Sequence, residues 1–531
     1  MFPQANLGLI DANGLIAALN QMGGIPDFNN ATSLQAFQKA LTSTSGYTGY
    51  NLEPTVKRLL PSYTVLRQRV AVDAGPVGAM SGLQAHYKAQ LGYNGFDFGA
   101  AMGTAFGTNG SDGNPQATDI GADYKSQSIH GAVQLESIDF ARQFDDPLQA
   151  QSLFNLTTLM RIEELLLLGG NEIVIATPAP TGASGAVGGS TFGVGVWTIK
   201  VTALTLRGCI ENATAGFVPV GGLANGETVP GTTTATVSAS AKTTLTVSWP
   251  AIPGAMGYKV YCSSAYSDST DVYLLNPATE MKCSDGTTAI PIQFTGQKYV
   301  TVNAVTIVAA PAGHQGVPTT DGSADANEFE GYFAWATKTT MYGTSLSAAG
   351  SRVLTDMAGG KLTAESSGVT QINDALQSLA LFYHTAPTAM VGSVATVRGI
   401  TNLITANNSS NMMLVGNQGG NLQQQNKVIG GIMIGGYTNQ FAQHYGMSPM
   451  IDIIAHPYMP DGNLMLLSET LPPDTYRNAN DSRCFALDVL RPYNYFPLAS
   501  VDRNINFDIW FLETLKCIYP TAQAAICGFH F

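Results

Sequence analysis

Asp145-Asp146-Pro147-Leu-Gln-Ala-Gln-Ser-Leu-Phe-Asn-Leu-Thr-Thr-Leu-Met-Arg-Ile-Glu-Glu-Leu165-Leu-Leu-Leu168-Gly169-Gly170 is the stretch on which the fold turns. Two acidic residues at the positive end, with proline at the first turn, start a helix. Leu153, Leu156, Leu159, Met160, Ile162 and Leu166 follow, and two glycines stop it. At 1.5 Å per residue this helix spans about 33 Å, a long rod in a sequence otherwise short of helical pattern.

Upstream, residues 1–75 read as an arm with short helices. Ser33–Leu41 carries Leu34, Phe37 and Leu41 at helical spacing, and Glu53–Leu60 begins with a proline and is stopped by Pro61. Residues 76–140 are Gly-rich and aromatic. Gly92–Gly99 and Gly103–Gly121 show few apolar periodicities, whereas Lys125–Phe140 alternates and predicts a strand. Two strands around a long tip make an extended hairpin. Such a long connection is unusual inside a compact domain and suits packing on another chain.

Downstream, 179–312 is dominated by Thr, Ser, Val, Gly and Ala with period two, as in Trp197–Ala203, Leu245–Trp249 and Tyr258–Tyr261. This predicts a β-sandwich, flanked by linker-like Pro178–Ser190 and Pro311–Asp325. Ile372, Ala375, Leu376, Leu379 and Phe382 predict an amphipathic helix. A short strand at Pro387–Gly392 follows, then a helix capped by Ser393 and carrying Val397, Ile400, Leu403 and Ile404. Two strands close the chain. Phe485, Leu487 and Val489 alternate in one; Ile505, Phe507, Ile509 and Phe511 alternate with Asn504, Asn506 and Asp508 in the other. The expected class is α+β with an inserted all-β sandwich, divided into 1–75, 76–140, 141–178, 179–312, 313–484 and 485–531.

At 531 residues the chain is too long for one core. It is 45% hydrophobic but only 12% charged, against roughly 25% as usual. Sparse charge suits a subunit pressed against neighbours, and suits equally a stable extracellular β protein. The net charge of −12 argues against tight nucleic-acid binding. No apolar run approaches the roughly 18 residues of a membrane span. The first basic residue is Lys39, so a charged signal-peptide start is missing and a cytoplasmic origin is expected. The six cysteines (Cys209, Cys262, Cys283, Cys484, Cys517, Cys527) are scattered without a CxxC pair and are expected to be free buried thiols.

No catalytic, cofactor-binding or metal-ligating residue is nominated, no cofactor is expected, and the chain is not read as an enzyme. Gly430–Gly436 lacks the lysine of a phosphate-binding loop and reads as a turn between strands. The seven histidines form no HExxH, and there is no GxSxG elbow. His456 and Asp461 share a loop and read as structural. Asp321, Asp325, Asn327 and Glu328 miss the spacing of a calcium loop and read as a solvated linker. Lys88 is the only basic residue among the aromatics of 80–110, which excludes a nucleic-acid platform.

The order of parts resembles the major capsid protein of tailed bacteriophages, the Hong Kong 97-like fold. Asn51–Leu59 resembles its arm, Gln143–Asn171 its spine helix and Thr370–Leu403 the helices of its axial domain. His456–Pro460 is similar to a segment before its returning strands, and Glu513–Gln523 to its C-terminal stretch. Leu245-Thr-Val-Ser-Trp-Pro-Ala-Ile-Pro-Gly-Ala-Met-Gly-Tyr-Lys-Val-Tyr261 resembles a fibronectin type III domain, with Tyr258–Tyr261 one residue short of the usual spacing. Lys200–Leu204 and Gly226–Pro230 resemble phage immunoglobulin-like inserts, with Trp197–Ala203 placed early in strand order. Such an insertion costs little stability and projects from the shell.

The resemblance implies hexamers and pentamers tiling an icosahedral virion capsid around double-stranded DNA, which is enclosed without sequence-specific binding. It implies portal and decoration or scaffolding proteins as partners, no membrane, and assembly in a host cytoplasm. Some relatives crosslink a hairpin lysine to a neighbour's asparagine; Lys88 and Lys125 lie near that region, and no motif selects either. Some lose an N-terminal segment, which is not expected with numbering from Met1. The alternatives are an encapsulin-like nanocompartment shell and, from the β insert alone, a carbohydrate-binding or adhesive surface protein.

Overall fold

The computed structural model describes residues 64–74, 84–93, 115–141, 146–213, 226–237, 243–263, 272–311, 316–346, 352–365, 368–407, 436–471, 482–500 and 503–531. The helices expected at 33–41 and 53–60, the hairpin tip and most of the 430–436 glycine cluster lie outside these residues.

The long helix forms at Pro147–Gly169. The Asp146 carboxylate accepts from Leu148 N (3.0 Å) and Gln149 N (3.3 Å), which satisfies amides that no helical carbonyl can reach. Its last turns, with Leu166, Leu167 and Leu168, enter the main core.

Two sheets flank it. The first runs in the order Ala71–Ala74, Phe485–Pro497, Asn504–Cys517, Lys125–Gln134. Its first pair is parallel, with Ala71 opposite Ala486, and the others are antiparallel. Phe507, Ile509 and Phe511 gather with Val133 and with Leu159 of the helix, as the alternation predicts. The second, mixed sheet runs Val353–Asp356, Ala524–Cys527, Asn463–Leu467, Ala389–Gly392, Met450–Ala455, Gly436–Thr438. Helices Thr370–Tyr383 and Val394–Asn407 accompany it. Ser393 Oγ accepts from Thr396 N (2.9 Å), the expected cap. Ile372, Ala375, Leu376 and Leu379 are buried, but Phe382 is 65% exposed. The apolar stripe ends instead on Tyr383, four residues after Leu379 and one turn further along the same face.

The hairpin pairs Gln84–Tyr93 with Pro115–Asp123, with a bulge between Gln90 and Gly92. Lys125–Phe140 is therefore not its second limb. Lys125–Gln134 pairs with Asn504–Glu513, and Leu135–Ala141 is helical. The apolar residues of the first segment, Ile129 and Val133, are drawn to the aromatic cluster under the helix. The true second limb buries only Ile120 and Ala122 among its described side chains, opposite Tyr87 and Ala85, which is too little apolar content to stand out in sequence.

Residues 181–307 build two four-stranded sheets. One is Val272–Leu274, Gly257–Ser263, Gly195–Leu204, Gly231–Val237; the other is Met281–Cys283, Ala304–Ile307, Thr243–Ser248, Thr181–Phe192. Trp197, Ile199, Val201, Leu245, Val247, Val260 and Ile307 share one apolar cluster between them. Neither flank is a simple linker. Thr181–Ser184 pairs with Leu245–Ser248, so backbone pairing replaces the missing apolar pattern. Ser323 is buried, accepting from Asn171 Nδ2 (2.6 Å) and from Ile175 N (3.3 Å).

This region is rooted in the main core through Leu204, Leu206, Cys209, Met256 and Tyr299. The Asp356 carboxylate also accepts from Ala251 N (2.7 Å) and Asn303 Nδ2 (2.5 Å). Deleting Thr181–Pro311 is expected to give insoluble or non-cooperatively unfolding protein, because it strips these side chains from the core. Solubility and thermal melts by circular dichroism check this; a soluble, cooperatively melting deletion would show the root to be dispensable.

Candidate assembly surfaces and the buried polar junction

Glu163 and Glu164, adjacent on the long helix, are both buried. Glu164 Oε1 accepts from Leu66 N (2.8 Å) and Oε2 from Arg67 N (2.9 Å). These are early amides of the short helix Val65–Arg69, whose own Thr64 makes no side-chain cap bond. One helix thus caps another through a carboxylate. His456 Nε2 lies 3.1 Å from Glu164 Oε1. Glu163 takes different partners: Arg67 Nε at 2.5 Å and the donating hydroxyl of Tyr493, over whose ring the Arg67 guanidinium sits at 5.2 Å.

Burial pushes Glu163 above the carboxylate range, against the pull of Tyr493 and Arg67. Burial and then the Glu163 charge push Glu513 up, and Glu513 Oε1 has no hydrogen-bond partner. Further ion pairs fasten residues 69–73: Arg69 to Glu469 (2.7 Å) and Asp452 (3.0 Å), and Asp73 to Arg483 (2.5 Å) and Lys516 (3.2 Å).

Most of the residues singled out in sequence have internal partners. His456 faces Glu164, and its Nδ1 accepts from Tyr458 N (3.3 Å), so it belongs to the junction and forms no pair with Asp461. Lys125 Nζ is 2.5 Å from Glu172. Lys88 is exposed on the hairpin, opposite Asp119. The 321–328 stretch is not a solvated linker. Arg207 pairs with Asp325 and lies 3.6 Å from Glu328, which accepts from Asn171 N (2.9 Å). Burial pushes Glu328 up to about 7. Among the described residues no group of three or more His, Cys, Asp or Glu is placed to hold a metal. All six cysteines are free and buried, as expected. Burial pushes Cys283 to about 11 and Cys262 to about 12, so both are protonated and unreactive. Glu163 and Glu164 escaped the sequence reading, although two carboxylates against a run of four leucines were a signal of buried charge.

Large apolar side chains also stand outside the cores, in adjacent pairs. Leu153 and Phe154 are exposed on the long helix, Leu381 and Phe382 near the end of Thr370–Tyr383, and Tyr495 and Phe496 on the distal part of the Phe485–Pro497 strand. Single exposed apolar residues are ordinary; these three pairs are the exposed large apolar residues that adjoin in sequence among the described residues.

No family model matches the chain, and no curated protein matches it. The chain is similar to solved structures of capsids. One is the cyanophage A-1(L) capsid, at 9% identity and TM-score 0.37, covering 92% of this chain and 99% of that one. Another is the capsid of a native GTA particle, at 8% identity and TM-score 0.36, covering 92% and 97%. A third is the capsid of Myoviridae phage XM1, at 7% identity and TM-score 0.33, covering 91% and 100%.

Glu513 gives a pH dependence with a definite sign. Its folded value lies above its unfolded one, so its neutral form favours the fold in acid, and that contribution is lost as pH rises through the folded value. Glu513→Gln is expected to match the wild type in melting temperature in acid below the ordinary carboxylate value, and to exceed it increasingly as pH rises from there to about 9, with a constant offset beyond. Parallel melts across pH check this; a constant offset over the whole range would assign Glu513 a normal titration.

Proposed function

We propose that this chain is a structural shell subunit, the major capsid protein of a tailed phage, which self-assembles as hexamers and pentamers into an icosahedral shell around double-stranded DNA. The observation that carries this reading is the set of exposed apolar pairs on elements that leave the cores: Phe154 on the long helix, Leu381 and Phe382 at a helix end, and Tyr495 and Phe496 on the ribbon. Burying one such side chain against a neighbour is worth about 1.5–3 kcal/mol. Repeated at every subunit contact, weak contacts add through multivalency.

The hairpin of Gln84–Tyr93 and Pro115–Asp123 suits the same role. At about 3.4 Å per residue each limb reaches roughly 30 Å, enough to lie across a neighbour. The net charge of −12 suits a wall that encloses DNA without condensing on it. The collinear order of arm, hairpin, spine helix and paired helices supports the phage reading. It brings portal and scaffolding or decoration proteins as partners, and the virion as location. The role is non-catalytic.

The 179–312 region is read as an immunoglobulin- or fibronectin-like insertion on the outer side. Its two sheets, and Trp249 packed edge-on against Tyr258 at 5.2 Å, support that reading. Electron microscopy and sedimentation of overexpressed protein are expected to reveal shells, tubes or capsomers. Phe154→Asp combined with Phe496→Asp is expected to shift the distribution to small species with an unchanged circular dichroism spectrum. A monodisperse wild-type monomer at high concentration would sink the proposal.

A further inference from the structure

Where the long helix ends, residues 169–171 cross residues 329–331 at backbone contact. A Cβ on Gly170 would overlap the Phe329 carbonyl oxygen, and one on Gly331 the Leu166 carbonyl oxygen. Gly331 N donates to Gly170 O at 3.0 Å, which fixes the crossing. Beside it three polar side chains meet in the interior: Lys338 (5% exposed), Asn171 (2%) and Glu330 (0%). Lys338 Nζ lies 2.5 Å from Asn171 Oδ1, 2.8 Å from each Glu330 oxygen and 3.0 Å from Ile173 O. Asn171 Nδ2 donates to Ser323 O at 2.6 Å, and Glu330 Oε1 also accepts from Ile173 N at 2.8 Å.

We propose that Lys338 and Asn171 form an intrachain isopeptide bond, with Glu330 carrying the protons. The lone pair of Lys338 Nζ adds to Asn171 Cγ, and the carbonyl electrons move to Oδ1. Collapse of this adduct expels Nδ2 as ammonia and leaves an Nζ–Cγ amide. Glu330, starting as the neutral acid in contact with Nζ, gives its proton to Oδ1 as Nζ adds, takes up the proton that Nζ then releases, passes it to Nδ2 as ammonia departs, and recovers a proton from Oδ1 as the carbonyl re-forms. One amide replaces another, so no oxidant or co-reactant is required.

Cγ lies one carbonyl bond, about 1.2 Å, behind Oδ1. From the 2.5 Å contact, Nζ is therefore no farther than about 3.7 Å from Cγ, close to the roughly 3–3.5 Å of a reactive approach. The protonation states suit the step: burial lowers Lys338 towards the neutral amine and raises Glu330 towards the neutral acid, with their mutual attraction opposing both. Burial also keeps out the water that would otherwise compete for the amide.

Lys259 provides the internal contrast. It is equally buried, 2.6 Å from Glu227, but Glu227 is met otherwise by the hydroxyls of Thr202 and Tyr261 and no carboxamide is bonded to the lysine. That pair has no ammonia to lose and remains an ion pair. The inference is independent of the shell reading, because all three groups belong to one chain.

Intact-mass measurement of the denatured full-length protein tests it. The expected mass is below the sequence mass by one ammonia, and proteolysis is expected to yield a branched peptide joining the segments that carry Asn171 and Lys338. Lys338→Arg and Asn171→Ala are each expected to abolish the branch, and Glu330→Gln to leave most of the chain unreacted. A wild-type chain at full sequence mass, cleaved normally by trypsin after Lys338, overturns the proposal whatever the variants do. Loss of ammonia without that branched peptide overturns it as well.

Discussion

Two neighbouring carboxylates in the interior of the long helix set the constraint that the surrounding structure obeys. Taking an ionised carboxylate out of water costs several kcal/mol unless donors replace the lost hydration. Glu164 obtains them from the backbone of residues 66 and 67 and from His456; Glu163 obtains them from Arg67 and Tyr493. Four stretches distant in sequence must therefore arrive together. None can shift by a residue without stranding a charge. Glu513, beside them, is pushed up by its own burial and then by the Glu163 charge.

The scarcity of charge takes on a different meaning in this light. Many of the charged residues that are present hold segments together. Arg69 joins Glu469 and Asp452, Asp73 joins Arg483 and Lys516, Lys516 also reaches Asp488, and Arg207 ties Asp325 to the base of the two-sheet region. Among the described residues, three adjacent pairs of large apolar side chains are left exposed.

Features set by local chemistry were legible in the sequence. The start of the long helix is written in Asp146 and Pro147, its end in the glycines, the helix Val394–Asn407 in Ser393, and the ribbon in the alternation of Ile505, Phe507, Ile509 and Phe511. Features set by distant partners were not. The second limb of the hairpin carries little beyond Ile120 and Ala122, so its strand character comes from pairing with Gln84–Tyr93. Pro178–Ser190 looked like a linker because glycine, alanine and serine supply no periodicity, yet most of it lies in the strand Thr181–Phe192, which completes a sheet. The junction of Glu163 with Arg67 and Tyr493 joins residues 96 and 330 positions apart, beyond the reach of any spacing argument.

The parallel pairing of Ala71–Ala74 with Ala486–Val489 has a temporal consequence. Among the described residues, the one sheet neighbour of Ala71–Ala74 lies more than four hundred residues later in the chain. Contacts of such separation are the slow ones in folding. Until they close, Arg69 and Asp73 have no fixed seat. A chain extended only through the long helix therefore cannot present the finished junction, because His456 and Tyr493 come later in the sequence.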